Sequence, residues 1–251
     1  MLRIRADKRV ASGLAREPLP QKSPSSMPTP FFSIVMPTWN RVASLDRALT
    51  SVLAQREPSW ELLIADDGSS DGTWASLCDW KRHDPRLRCW RHANRGPAAS
   101  RNALLGHARG EWITFLDSDD ELRPDHLALR RAAIAAQPGT DLWLSPMHIV
   151  GNPFVPSCLH PGEMIHVDRC IGVGMLTVRR ETILRAGGFP EIRYAEDAAL
   201  MTQLRIMGTR TAWLTHRSYV YHRDHADSIT ARQAQRTRAT LPYAMAEAAV
   251  D

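Results

Sequence analysis

At 251 residues, 43% of them hydrophobic, the chain can furnish one large core, which excludes a fibrous or wholly disordered sequence. Its formal charge of +5 is uneven: residues 1–30 hold six Lys/Arg against two Asp/Glu, residues 231–251 hold three against two, and 31–230 balance at 23 of each. A neutral folded part excludes a domain that grips nucleic acid by charge, and apolar runs no longer than 112–116 exclude a membrane span.

The first 30 residues, with Pro18, Pro20, Pro24, Pro28 and Pro30 among Ser and basic residues, read as a disordered arm. Such an arm either touches anionic lipid, as a peripheral contact at the inner membrane face, or carries no role. The N-terminal stretch lacks the apolar core of a signal peptide, so the expected location is the cytoplasm. Cys78, Cys89, Cys158 and Cys170 lack metal-ligand spacing and read as reduced thiols. Removing residues 1–28 is expected to leave the melting temperature unchanged, because they offer little apolar surface to bury; a fall of many degrees in a thermal melt would show that the arm packs on the domain.

From residue 31 strands and helices alternate. The run 31–36 is a strand that Pro37 is expected to end. Leu45, Leu49, Val52 and Leu53 recur at helical spacing, and a strand over 61–65 runs into the turn Asp66-Asp67-Gly68-Ser69-Ser70-Asp71-Gly72-Thr73. The plan repeats with a strand over 87–91, a helix over 97–109 opened by Gly96-Pro97, and a strand ending at Asp117. A helix over 127–136, a strand over 141–144 and a looser Pro- and Gly-rich stretch to Cys170 follow. Then come a strand over 172–178, the turn Gly187-Gly188-Phe189-Pro190, and a helix with Glu196 and Asp197 in its first turn and Leu200, Leu204 and Met207 on one face. Short strands at 211–214 and 218–221 precede a loop holding His222, Arg223, Asp224 and His225. The eight Trp are assigned to the core. This alternation predicts an α/β fold, a mostly parallel sheet with helices on both faces.

In such sheets ligands bind beyond the carboxyl ends of the strands. Three of those ends carry Pro37-Thr38-Trp39-Asn40, Asp66-Asp67-Gly68 and Asp117-Ser118-Asp119-Asp120. Three acids in four residues repel one another and gain nothing from an apolar core, which points to a bound cation. One acidic turn is equally a solvated loop; two at strand ends weigh against that. Glu196 and Asp197 either cap their helix or do chemistry. A calcium loop at 67–78 fails because its twelfth position is Cys78.

Taken in order, Val35-Met36-Pro37-Thr38-Trp39-Asn40, Asp66-Asp67-Gly68-Ser69, Arg101-Asn102, Leu116-Asp117-Ser118-Asp119-Asp120, Gly187-Gly188-Phe189, Glu196-Asp197 and Arg223-Asp224-His225 resemble the nucleotide-sugar-dependent glycosyltransferases of family 2, which have the GT-A fold. The resemblance covers 31–230. It implies a Rossmann-like sheet with a nucleotide-sugar half at 31–122 and a smaller acceptor-side half at 123–230, followed by a tail at 231–251 expected to be helical. It also implies a UDP- or dTDP-sugar donor contacted by Pro37, Thr38, Asn40, Asp66, Asp67, Arg101, Asp117 and Ser118. Mg²⁺ or Mn²⁺ would be held by Asp119, with Asp117 and His225 assisting. Hard cations favour such oxygen ligands and neutralise charge on a departing diphosphate.

The same resemblance implies an inverting displacement with Asp197 as the base and Glu196 as its rival, acting on a glycan or glycolipid acceptor in cell-surface polysaccharide synthesis. A helix N-terminus lowers a carboxylate's pKa, so burial or a bound donor must offset that dipole. Trp39 replaces a smaller aromatic of the family pattern, and Gln203 stands where an Arg commonly follows the Glu-Asp pair. The Gln-x-x-Arg-Trp signature of processive synthases is missing, which favours transfer of one sugar. Asp120 is expected to matter far less than Asp119 for metal-dependent binding.

Two other readings compete. The segment 115–119 also resembles the nucleophile motif of haloacid-dehalogenase-like phosphatases, but Glu121 stands where those have Thr or Val, and two βα units precede it. A nucleotide-sugar-binding homologue without turnover is the non-enzyme reading; retention of Asp67, Asp117, Asp119 and Asp197 argues against it.

Overall fold

The computed structural model describes residues 28–157, 160, 163–192 and 195–223. The expected tail, the arm up to residue 27, Cys158, Asp224 and His225 lie outside the described residues. The chain runs β1 (Phe32–Thr38), α1 (Val42–Leu53), β2 (Trp60–Asp66), α2 (Thr73–His83), β3 (Leu87–Arg91), α3 (Pro97–Leu105), β4 (Trp112–Phe115), β5 (Glu121–Leu122) and α4 (His126–Ala136). It continues with β6 (Leu142–Leu144), β7 (Met147–Gly151), β8 (Phe154–Pro156), β9 (Met164–His166), β10 (Leu176–Arg179), α5 (Arg180–Arg185), α6 (Glu196–Ile206), β11 (Thr211–Trp213) and β12 (Tyr219–Arg223).

The central sheet has seven strands in the order β11-β6-β10-β4-β1-β2-β3, parallel except where β10 runs against β4 and β6. β1 and β2 are buried along their whole length, which is why their sequences are continuous apolar runs rather than alternating ones. From β1 the chain steps to β2 and then β3; the next crossover, through α3, returns to the other side of β1. Right-handed crossovers therefore put α3 on the opposite face from α1 and α2 and open a crevice at the carboxyl ends of β1 and β4, where the strand order reverses. A small sheet, β5-β12-β7, stands beside that crevice.

Two buried charges hold the frame. Glu61 on β2 accepts from Ser33 Oγ (2.8 Å), Arg109 N–H (2.7 Å) and the guanidinium groups of Arg88 and Arg109. Arg130 on α4 is fully buried and donates to Thr177 Oγ1 (2.7 Å), Ser145 Oγ (2.6 Å), Ser218 Oγ (3.1 Å) and the His126 carbonyl (3.2 Å). Burial pushes its pKa down to about 9.

Several elements differ from the sequence reading. Pro37 lies inside β1, opposite Ala65 of β2. The Val35 carbonyl accepts from Leu116 N–H and the Thr38 carbonyl from Asp67 N–H, so Pro37 faces the β4 side, beyond the last β1–β4 pair at Val35 and Phe115, where the ladder has ended. α3 stops at Leu105 because the Arg109 main chain is drawn to Glu61. The stretch expected as one strand over 172–178 begins with a 3-10 turn, Val173–Met175, and pairs only from Leu176. On α6 it is Met201 that joins Leu200 and Leu204 in the core; Met207 caps the helix and is exposed. His222 and Arg223 belong to β12 rather than to a loop. Trp39 and Trp213 are exposed, against the expectation that tryptophans fill the core.

Candidate active site

Past Phe115 the sheet ends and the chain makes a tight turn, with Asp120 N–H bonded to the Asp117 carbonyl (3.0 Å). This acidic loop is gripped from α1, where Ser44 Oγ donates to the Ser118 carbonyl (3.0 Å) and Arg47 donates to the Asp119 carbonyl. Arg41, at the N-cap of α1, pairs with Asp119 through Nε (3.2 Å). Asp117 and Asp119 keep 32% and 17% of their side chains accessible, whereas Asp120 is 1% exposed. Asp120 accepts from Tyr219 Oη (2.6 Å) and His222 N–H (2.8 Å), and burial, with Asp119 and Asp117 nearby, raises its pKa well above the ordinary carboxylate value. Asp120, expected to matter less than Asp119, is thus the acid buried in the fold.

Arg101 on α3 gathers the rest. Its side chain is 4% exposed, with NH2 on Asp117 Oδ1 and NH1 on Glu196 Oε1, each 2.7 Å away, and Phe189 beneath the guanidinium at 5.4 Å. Burial opposes the charge, but Asp117 and Glu196 more than offset it and hold the pKa above the ordinary arginine value. Its neighbour Asn102 clasps the glycine turn: Nδ2 donates to the Phe189 carbonyl and Oδ1 accepts from Phe189 N–H, both at 2.8 Å. Gly188 has φ +80°, and a Cβ there would lie 2.5 Å from Asn102 Oδ1, so no side chain fits. The turn delivers α6, whose first residue follows Ala195 in the left-handed region (φ 64°), a conformation that costs an L residue roughly 1–2 kcal/mol.

At the start of α6 the two acids part. Glu196 is committed to Arg101. Asp197 is partly buried and, among the described residues, accepts one hydrogen bond, from Ala198 N–H (2.8 Å). Burial first, and the Glu196 charge next, push its pKa up to about 6. Burial and the neighbouring carboxylate act against the lowering expected of a helix N-terminus.

The remaining predicted positions are less uniform. Asn40, at φ 51°, ties the end of β1 to the turn after β2, donating its N–H to Ser69 Oγ (2.9 Å) and accepting from Ser70 N–H (2.8 Å). Asp66 is fully buried, accepts from Ser69 N–H (3.1 Å) and pairs with Arg91 (3.1 Å). Asp67 accepts from Arg95 N–H (2.7 Å) and Gly96 N–H (2.9 Å), bracing the entry to α3. Thr38 is buried, and its carbonyl holds Asp67 N–H. The structure therefore brings Asp117, Glu196 and Asp197 together around Arg101, sets Asp119 beside Arg41, and uses Pro37, Thr38, Asp66 and Asp67 in the frame of the crevice. Arg41, Ser44, Arg47 and Tyr219 were not singled out from sequence; only Arg41, next to Asn40, stood close to a motif.

The donor set suits a hard cation. Asp117 and Asp119 are two partly accessible carboxylates on one turn, Asp117 paired with Arg101 and Asp119 with Arg41, and a small divalent ion uses one or two carboxylates and fills its shell with phosphate and water oxygens. Among the described residues no cluster of three or more His, Cys, Asp or Glu side chains could by itself enclose a metal. No described helix is long and apolar enough to cross a membrane.

The profile of the family described as Glycosyl transferase family 2 matches residues 33–154. Over 169 residues the chain is 31% identical to the UDP-Glc:alpha-D-GlcNAc-diphosphoundecaprenol beta-1,3-glucosyltransferase WfgD of Escherichia coli, covering 66% of each. Four further bacterial relatives, 37–42% identical over 99 to 103 residues, match along only 16% to 39% of their own length. In fold it is similar to TarS 1–349 of S. aureus in complex with UDP-GlcNAc, with TM-score 0.68, 24% identity, and coverage of 79% of this chain and 60% of that one. It is likewise similar to the mannosyltransferase PcManGT of Pyrobaculum calidifontis in complex with GDP-Man and Mn²⁺, with TM-score 0.61, 23% identity, and coverage of 76% and 56%.

Proposed function

The chain belongs to glycosyl transferase family 2, and from that premise we propose that it moves one sugar from a nucleotide-diphosphate sugar to an acceptor hydroxyl with inversion at the anomeric carbon. The observation that carries this reading is the division of labour at the start of α6. Arg101 occupies Glu196, while Asp197 keeps a carboxylate whose pKa of about 6 suits proton removal near neutral pH. Asp197 takes the proton of the acceptor hydroxyl as its oxygen bonds to the anomeric carbon, and the bond from that carbon to the diphosphate oxygen breaks on the opposite face. Asp119, with help from Asp117, would hold Mg²⁺ or Mn²⁺, which when bound would supply charge neutralisation for the departing diphosphate. Arg101 fixes Asp117 and Glu196 in one frame, so the donor-side and acceptor-side acids keep their separation during the step.

In this reading residues 31–122, with Asn40, Asp66, Asp67 and Ser118 around the crevice, bind a UDP- or dTDP-sugar, and 123–230 form the acceptor side, with His225 an additional contact to the cation or diphosphate. The acceptor is a lipid-linked glycan handled by a cytoplasmic protein at the inner membrane face, an assignment supported by the activity that the name of WfgD states for that relative. The test is a panel of UDP-, dTDP- and GDP-sugars with Mn²⁺, read as binding and as nucleoside diphosphate release. Metal-dependent binding and release with a UDP- or dTDP-sugar is the expected result. Binding without turnover favours the non-catalytic homologue, and hydrolysis of a generic phosphoester favours the phosphatase reading.

A further inference from the structure

The acidic loop has a second support, from β12, that the reaction scheme leaves unexplained. Leu116 N–H still bonds to Val35, but the next amide, that of Asp117, lies beyond the last strand pair and finds its acceptor in Tyr219 Oη on β12 (3.2 Å). The same hydroxyl gives its proton to Asp120 Oδ2 (2.6 Å), whose other oxygen accepts from His222 N–H (2.8 Å). One phenol therefore bridges the first and last residues of the loop, and the carboxylate it meets is tied onward to the same strand. The ring is 1% exposed, and its seat was cleared for it: a Cβ at Gly174 would lie 2.4 Å from the ring. Gly174 is needed for space rather than for an unusual backbone angle.

We propose that Tyr219 is a positioning residue, whose hydroxyl sets where Asp117 and Asp119 present their carboxylates to the donor diphosphate and its cation. The proposal rests on the metal-dependent reading above. A merely structural tyrosine would brace β12 against the core through its ring; this one also spends both hydrogen-bonding functions of its hydroxyl on the loop, one of them on the amide of the residue that Arg101 grips.

Tyr219→Phe keeps the ring in its seat and removes only the hydroxyl. Calorimetry of UDP, dTDP and GDP with and without Mn²⁺, on wild type and variant, gives for each the factor by which metal strengthens nucleotide binding. That factor is expected to fall about tenfold in the variant, in line with the loss of an outer support to metal ligands, with metal-free affinity within about twofold. Amide exchange at Asp117 is expected to accelerate. An unchanged metal factor, or an equal loss with and without metal, overturns the proposal. A wild type with no metal factor for any nucleotide overturns the metal reading and this proposal with it. Should Tyr219→Phe fail to fold, Asp120→Asn, which withdraws the carboxylate acceptor at constant size, is expected to give the same selective loss.

Discussion

Asp197→Asn is expected to leave nucleotide-sugar affinity nearly unchanged and to lower kcat by about 10²–10⁴, the usual contribution of a positioned general base. The structure makes the expectation sharper than chemistry alone, because Glu196 is held by Arg101 at 2.7 Å and Asp197 is not. Glu196→Gln should take less from kcat and more from donor affinity, since it leaves Arg101 with Asp117 as its remaining carboxylate. In wild type, kcat/KM should fall as pH drops through about 6, where Asp197 takes up a proton, and this limb should vanish in Asp197→Asn. A larger kcat loss in Glu196→Gln than in Asp197→Asn would reverse the assignment.

Stability separates this role from helix capping. A carboxyl whose folded pKa is raised favours folding below its ordinary value near 4 and loses that contribution as pH rises through about 6. Ionised at pH 7.5, Asp197 therefore costs the fold on the order of 1 kcal/mol, discounted for its partial exposure. Asp197→Asn should melt a few degrees higher than wild type at pH 7.5, and the difference should shrink towards pH 5. Loss of a helix cap would do the opposite, costing about 1 kcal/mol whatever the pH. A variant that is inactive yet more stable is the signature of a strained functional acid.

The parts of this fold that were legible in the sequence are those where one physical cause acts alone. β1 to β4 and the helices between them follow from buried apolar runs punctuated by Pro, Gly and Asp turns, and the crevice follows from where those strands end. Side-chain pairings across the chain were not legible. Arg101 and Glu196 are 95 residues apart, Tyr219 and Asp120 are 99, and no local pattern marks either pair. The burial of Asp120 was hidden for the same reason: its partners Tyr219 and His222 lie on β12, about a hundred residues later in the chain. Pro37 misled because the rule against proline in a ladder depends on which neighbour its nitrogen faces. Asn102 and the glycine turn were each noticed, but that they form one clasp, with Gly188 empty to admit the amide, emerges only in three dimensions.

Asp119→Asn is expected to weaken metal-dependent nucleotide binding by at least about 100-fold while leaving the metal-free affinity and the fold intact. The amide keeps the shape but removes a hard anionic ligand, a larger loss than the 10- to 100-fold that follows from disturbing an outer support. Stability should change little: the variant loses a partly exposed ion pair with Arg41, worth about 1 kcal/mol or less, and gains relief from repulsion among three acids in four residues. Asp120→Asn acts from behind, through Tyr219 and His222, so its effect on the metal-dependent increment should be nearer tenfold. Calorimetry with and without Mn²⁺ ranks the two. Equal losses would mean that the loop as a whole, and not Asp119, sets the affinity for the cation, and the proposed ligand would have to be sought at Asp117 instead.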